Sequence, residues 1–122
     1  MRREMGIFRN RMPRLSIELP GRGETVSVDV VLDTGFNGHL ALPRRVLQRL
    51  DARVWDATTH QVAGGEIIAT QTFMLEMVWL GRARTVEVIA LEGNALLGTG
   101  LLLGTQITID AIADGEVIIE AL

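Results

Sequence analysis

An aspartate, a threonine and a glycine stand together at Asp33-Thr34-Gly35, where the apolar run Val30-Val31-Leu32 ends. A carboxylate can accept or donate a proton, so an aspartate delivered by a buried strand is a candidate for general acid or base chemistry. The same three residue types are also typical of a turn. The elements around the triplet must decide between a turn-forming carboxylate and one that is held where its chemistry is used.

The other chemistry-bearing residues exclude several kinds of site. The sequence has no cysteine, and all 12 of its basic residues are arginines. Disulfides and thiolate metal sites are therefore excluded, as is a phosphate-binding P-loop, which needs a lysine. The glycines of segment 98–105 do not form a dinucleotide-binding fingerprint, because Gly104 comes one residue late. Two histidines, His39 and His60, lack the usual set of zinc ligands, so we expect no metal and no cofactor.

The triplet follows a predicted β-hairpin. Apolar residues recur at every second position in 15–19 and again in 26–30, which is typical of half-buried strands. The segment between them, 20–24, has the composition of a turn. The two runs therefore predict a hairpin whose second strand leads directly into Asp33.

Further alternating runs predict a protein built mostly of strands. A Gly64-Gly65 pair between two strand-like runs indicates a tight hairpin, because both residues tolerate positive φ. Ile107 and Ile109 are expected to pair with 117–119 through a turn at Asp114-Gly115. One short helix is predicted over 43–50, with Pro43 at its first position. Seven or eight short strands and about one helix indicate an all-β barrel or sandwich.

Positive charge is concentrated at the N-terminus, although the whole chain carries a formal charge of −3. We interpret residues 1–13 as a basic arm and residues 14–122 as the single domain. An arginine-rich arm can bind nucleic acid, but only Phe8 accompanies these arginines as an aromatic platform, so no nucleic acid is expected. The N-terminus lacks the pattern of a signal peptide and no segment is long enough to span a membrane. We expect a cytoplasmic protein with no membrane partner.

Three features occur in an order that resembles a known family. Asp33-Thr34-Gly35 ends an apolar strand, the Gly64-Gly65 hairpin follows about thirty residues later, and the segment 95–102, ALLGTGLL, comes last. This order resembles the retropepsin-like (clan AA) aspartic proteases, and Phe36 after the triplet looks like their prokaryotic single-domain branch. The resemblance implies a closed β-barrel with a flap hairpin at 57–70 and one short helix, acting as a two-fold homodimer.

The resemblance also implies an activity. The expected function is that of an aspartic endopeptidase, which hydrolyses a peptide or protein substrate with a water activated by two carboxylates. Each chain supplies one of them, so Asp33 would face Asp33 of the partner subunit. Thr34 would tie the two loops together, and Gly35 would let the backbone pass close to the substrate. Two alternatives remain open: a catalytically silent peptide- or protein-binding module on the same fold, and a nucleic-acid binder that uses the arginine arm.

The family pattern also assigns residues to substrate binding and to support of the site. Phe36 and Asn37 would contact substrate beside the carboxylates, although Phe36 could equally pack in the core. The flap tip, Ala63-Gly64-Gly65, would close over a bound peptide. The segment 96–98 would pack beside the Asp33 loop and support it.

Overall fold

The computed structural model describes the backbone of residues 2–61 and 67–122, and the side chains of residues 2–55 and 71–122. The described part of the chain forms ten strands and two short helices, as the sequence predicted in kind but not in number. They are β1 (Arg3–Arg9), β2 (Met12–Pro20), β3 (Thr25–Leu32), β4 (Leu40–Leu42), α1 (Arg44–Leu47), β5 (Arg53–Gln61), β6 (Ile67–Trp79), β7 (Arg82–Ala90), β8 (Leu96–Leu97), α2 (Thr99–Leu102), β9 (Thr105–Ile109) and β10 (Gly115–Ala121).

All ten strands belong to one sheet, which is open. Its strand order is β5-β6-β7-β4-β8-β3-β2-β1-β10-β9, so β5 and β9 lie at the two ends and do not pair with each other in the described residues. The prediction of a closed barrel was therefore wrong. The sheet nevertheless curls enough to bring β2 into contact with β6, which lies five places away in the strand order. Side-chain packing across the curl, rather than a closing row of backbone hydrogen bonds, encloses the core.

The predicted hairpin before Asp33 is confirmed. β2 and β3 pair antiparallel in one continuous register, from Arg14 opposite Val31 to Pro20 opposite Thr25. The alternation places one face of each strand in the core, where six side chains are almost fully buried: Leu15, Ile17, Leu19, Val26, Val28 and Val30. Burying an aliphatic side chain of this size contributes about 1.5–3 kcal/mol, so this hairpin is a main source of stability for the strand that carries Asp33.

Two other predicted elements are also observed, with one adjustment. The C-terminal hairpin pairs Ile109 with Val117 and Ile107 with Ile119, as expected. The predicted helix is present but shorter, because Pro43 is the N-cap residue of α1 rather than its first helical residue. Leu47 is buried against the core, which holds this single turn in place. Both described helices contain four residues, and neither is long and apolar enough to cross a membrane.

The segment interpreted as a basic arm contributes to the sheet. β1 pairs with β10 over most of its length and with β2 at its C-terminal end. Two of its arginines form ion pairs with acids at the other end of the chain, Arg3 with Glu120 at 3.3 Å and Arg9 with Asp114 at 3.1 Å. The sheet therefore runs across the boundary predicted at residue 14.

Gly6 in β1 tests whether this first strand contributes to stability. A Cβ on Gly6 would overlap the carbonyl oxygen of Arg14 in the neighbouring strand. We expect Gly6→Ala to lower the free energy of unfolding by about 1–3 kcal/mol, because the two strands would have to separate. Urea unfolding of Gly6→Ala beside Glu116→Ala, an exposed substitution on the paired strand, provides the measurement and its control. Equal stability of the two variants would contradict a close β1–β2 contact.

Candidate active site

The strand β3 delivers Asp33 to the edge of the core. Val30, Val31 and Leu32 are buried, whereas Asp33 is only partly buried. The backbone N–H of Asp33 donates to the carbonyl oxygen of Leu97 at 3.0 Å, which extends the short parallel pairing of β3 with β8 by one residue. The carboxylate thus stands on a backbone that is anchored on its own strand and on a neighbouring strand.

The Asp33 carboxylate is oriented by its own loop. The backbone N–H of Gly35 donates to Oδ1 at 2.8 Å, and the N–H of Phe36 donates to the Asp33 carbonyl oxygen at 3.2 Å. Asp33 is therefore a turn former and a positioned carboxylate at the same time. In the described part of the chain no other group donates a hydrogen bond to the carboxylate, so Oδ2 has no partner among these residues.

The neighbouring residues predicted to act at this site differ in exposure. Thr34, Gly35 and Asn37 are exposed, and Phe36 is partly buried. The Phe36 ring lies so close to Gly38 that a Cβ there would be 2.6 Å from its Cζ atom. The ring therefore packs against the backbone of its own loop. Thr34, Gly35 and Asn37 are therefore accessible to a molecule that binds at Asp33.

The predicted support of this loop by segment 96–98 is confirmed by a row of backbone hydrogen bonds. Gly98 N–H donates to the His39 carbonyl at 2.9 Å, Thr99 N–H to the Phe36 carbonyl at 2.8 Å, and Gly100 N–H to the Gly38 carbonyl at 3.1 Å. The Thr99 hydroxyl also donates to the Phe36 carbonyl at 3.3 Å. These contacts clamp the loop that follows Asp33 onto the start of α2.

This clamp requires glycine at two of its positions. A Cβ on Gly98 would lie 2.5 Å from the Phe36 carbonyl oxygen, and one on Gly100 would lie 2.6 Å from the His39 ring. Both distances are well inside van der Waals contact, so any larger residue would push the loop away. The spacing of the two glycines in the segment 98–100 thus reflects close backbone approach rather than turn formation.

His39 also holds the loop, a role that the sequence did not indicate. Its Nδ1 atom accepts a hydrogen bond of 3.0 Å from the backbone N–H of Glu87 in β7. Burial lowers the pKa of His39 and the nearby Arg84 lowers it further, while the Glu87 carboxylate acts in the opposite direction. A lowered pKa keeps the imidazole neutral, which it must be for Nδ1 to act as an acceptor. The acceptor role of His39 is recognised only from its hydrogen-bond donor, the Glu87 amide, which lies 48 residues away in the sequence.

The remaining predicted residues are not placed at the site by the structure. Ala63, Gly64 and Gly65 lie outside the described residues, and the side chain of His60 does as well. The strands that flank this segment pair antiparallel from Arg53 opposite Met74 to Gln61 opposite Ile67. Among the residues whose side chains are described, no group of three or more histidine or acidic side chains is arranged to hold a metal ion.

Comparison with known proteins supports the fold. No protein-family model matches the sequence, and no curated protein matches it. One solved structure that does match is that of a retropepsin-like aspartic protease from Rickettsia conorii. Its alignment with this chain has a TM-score of 0.61 and 22% sequence identity, and it covers 98% of this chain and 94% of that one. The chain therefore has a retropepsin-like, mostly β fold.

The neutral state of His39 predicts a pH dependence of stability. Because the folded-state pKa lies below the unfolded one, the unfolded chain takes up the proton first as the pH falls. The stability that depends on neutral His39 is therefore complete above about pH 6.5 and is lost on acidification below it.

The substitution His39→Asn isolates this effect, because its Oδ1 atom takes the place of Nδ1 and can accept the same hydrogen bond without titrating. Between about pH 7.5 and pH 5.5 the wild-type Tm should fall further than the Tm of His39→Asn. Parallel melting curves at the two pH values measure this difference. Identical shifts in both proteins would contradict the assigned acceptor role.

Proposed function

We propose that the chain is an aspartic endopeptidase that acts as a two-fold homodimer. The observation that carries this proposal is the state of Asp33: a partly buried residue at the end of a buried strand, with Oδ1 held by the Gly35 amide and Oδ2 without a hydrogen bond from the described residues. The retropepsin-like fold supports the proposal, because it places an Asp-Thr-Gly triplet on a scaffold that one known aspartic protease shares.

The proposed chemistry needs two carboxylates in contact. Like charges at short distance cannot both ionise, so such a pair holds one proton between its members. The ionised carboxylate removes a proton from a water molecule, which attacks the carbonyl carbon of the peptide bond. The protonated carboxyl group hydrogen-bonds the carbonyl oxygen and protonates it as the tetrahedral intermediate forms. Collapse of the intermediate with proton transfer to the leaving amine completes hydrolysis.

One chain supplies one Asp33, so the proposal requires a second copy. A two-fold axis beside the loop is the simplest geometry that brings identical residues together. The exposure of Thr34 and Gly35 favours this arrangement, since both are open to contact from a partner. In the proposed dimer, Thr34 links the two loops and Gly35 allows their backbones to approach.

The edge strand β9 provides a surface on which the second copy can pair. Its sequence, TQITI, carries neither charge nor proline, two of the features that protect sheet edges. It follows α2, whose first residue is hydrogen-bonded to the Asp33 loop. Leu103 lies between α2 and β9 and is 86% exposed. An edge strand without charge or proline, which begins soon after α2, is consistent with pairing between copies.

The proposed substrate is a peptide or protein in extended conformation. Phe36 and Asn37 would contact it beside Asp33, and Ala63-Gly64-Gly65 at the hairpin tip would cover it. A peptide bound in this way would form main-chain hydrogen bonds as an added strand. No cofactor is required by this chemistry, and the cytoplasmic location stays a prediction.

Substitution of the proposed catalytic residue is the direct test. Asp33→Asn keeps the size of the side chain but can neither accept nor share a proton, so cleavage of a peptide library should fall by at least about a thousandfold. The amide oxygen of the substituted side chain can still accept the Gly35 hydrogen bond, and the Tm should stay within a few degrees of wild type. Cleavage within about tenfold of wild type would show that Asp33 is not catalytic.

A shared site also predicts that activity depends on protein concentration. Specific activity should fall on dilution in step with the dimer fraction measured by sedimentation. Mixing wild type with an excess of Asp33→Asn chain should reduce activity further, because the mixed dimers contain only one carboxylate. A protein that sediments as a monomer at full specific activity would contradict the shared-site mechanism.

The same protein preparations distinguish the endopeptidase from the alternative, a catalytically silent binding module. If wild-type protein binds peptides but cleaves none between about pH 3 and pH 7, the binding module is the better description. If cleavage is observed instead, pepstatin, which occupies the site of aspartic proteases, provides a second test. Inhibition of that cleavage by pepstatin supports the endopeptidase.

A further inference from the structure

A cavity of about 310 Å³ lies on the side of the sheet near the base of the Asp33 loop. One wall is formed by β2 and β3, a second by α1 and the turn after it, and a third by the loop that leads into β8. Its lining residues are Arg14, Ser27, Val28, Asp29, Pro43, Arg45, Val46, Arg49, Gly93, Asn94 and Ala95. Arg14 is the cross-strand neighbour of Val31, which precedes Asp33 by two residues.

The cavity is positively charged in a protein that is negative as a whole. Three arginines, Arg14, Arg45 and Arg49, line it together with one acidic residue, Asp29, which gives a formal charge of +2. The whole chain carries −3. Arg14 donates to Asp29 through Nη1 at 2.8 Å. Within the part of the chain whose side chains are described, Arg45 and Arg49 form no ion pair.

The cavity also contains donors with too few acceptors. The Arg14 side chain is only 17% exposed, and its Nε atom is buried without a hydrogen-bond partner in the described residues. Within the described residues, the exposed Asn94 amide donates to the Met12 sulfur, a weak acceptor, at 4.0 Å. Asp29 is the one acidic residue among the described lining residues and accompanies three arginines, so the cavity favours a ligand that supplies further acceptor oxygens.

From these observations we propose that the cavity binds one oxyanionic group, a carboxylate or a phosphate. The guanidinium groups of Arg45 and Arg49 form no ion pair with a described side chain and can form charge-assisted hydrogen bonds with such a group, and the Asn94 amide can contribute a neutral one. Asp29 competes with the ligand for Arg14 and so weakens binding. The lining of this cavity does not include Asp33, so the proposal does not depend on whether Asp33 is catalytic.

Two probes distinguish a free anion from one carried on a peptide. The first is inorganic phosphate, and the second is a short N-acetylated peptide containing glutamate, compared with the same peptide containing glutamine. Each is titrated calorimetrically into full-length Asp33→Asn protein in phosphate-free buffer at low ionic strength, so that no peptide is cut and screening is weak. Binding is therefore measured independently of any protease activity.

Matched variants locate the binding. Arg45→Gln/Arg49→Gln removes two charges from the cavity, and Arg44→Gln/Arg53→Gln removes two charges outside it on the same segment. The first pair should weaken binding of the probe at least about tenfold, and the second by less than about twofold. Asp29→Asn should tighten binding of the probe, because it removes the carboxylate that competes for Arg14. Melting curves of all three variants establish that they are folded.

The outcomes are separable. Phosphate binding with no preference for the glutamate peptide supports a site for a free oxyanion, and preference for glutamate over glutamine supports a site for an acidic side chain. The proposal is overturned if neither probe binds, or if the control pair weakens binding as much as the cavity pair. Weaker rather than tighter binding by Asp29→Asn would also overturn the assigned role of Asp29.

Discussion

The arrangement of the candidate site depends on one contact: the loop after Asp33 is clamped onto the segment that joins β8 to α2. Asp33 itself donates to Leu97 across the parallel β3–β8 pair, and three successive amides of the β8–α2 segment donate back to carbonyls of the loop. These are backbone hydrogen bonds, so they set the position of the loop independently of its side chains. The carboxylate can then be oriented by a single further bond, from the Gly35 amide. If the clamp opened, Asp33 would remain at the end of its strand but would lose a defined direction.

The clamp also explains features that lie far apart in the sequence. Gly98 and Gly100 are required because the two backbones approach more closely than a Cβ allows. His39 ties the end of the loop to β7 through the Glu87 amide, and it can do so only when neutral. Buried strands on both sides hold the two halves of the clamp in register, since Leu40 pairs with Leu97 on one side and with Val88 on the other. The core and the site are therefore parts of the same hydrogen-bonded framework.

The sequence predicted what depends on local alternation and missed what depends on distant partners. The β2–β3 and C-terminal hairpins were predictable because period-two burial determines which face of each strand is apolar. β8, with two residues, is too short to show any period, and it is recognised only by its pairing with β3 and β4. β1 was assigned to a basic arm because residues 1–13 include four arginines, whereas its place in the sheet depends on β10 at the other end of the chain. Of the site, Asp33 and the support by segment 96–98 followed from the triplet and the resemblance. The acceptor role of His39 did not, because it rests on a single long-range hydrogen bond.

The prediction of a closed barrel was wrong because it also depends on pairing between distant strands. The open sheet bears on how two copies of the chain could assemble. Closure needs the first and last strands of the sheet to meet, but here the order ends in β5 on one side and β9 on the other. Among the described residues, β9 therefore has no strand partner on one side, and Thr34 and Gly35 are exposed next to Asp33. If the proposed function is correct, the approach of a second copy along a two-fold axis would both cover this edge and supply the second carboxylate. In the proposed dimer the elements that bury the interface are thus continuous with those that orient Asp33: α2 follows the clamp directly and leads through Leu103 into β9. In that dimer, assembly and positioning of the carboxylates would be linked, because α2 connects β9 to the segment that is hydrogen-bonded to the loop after Asp33.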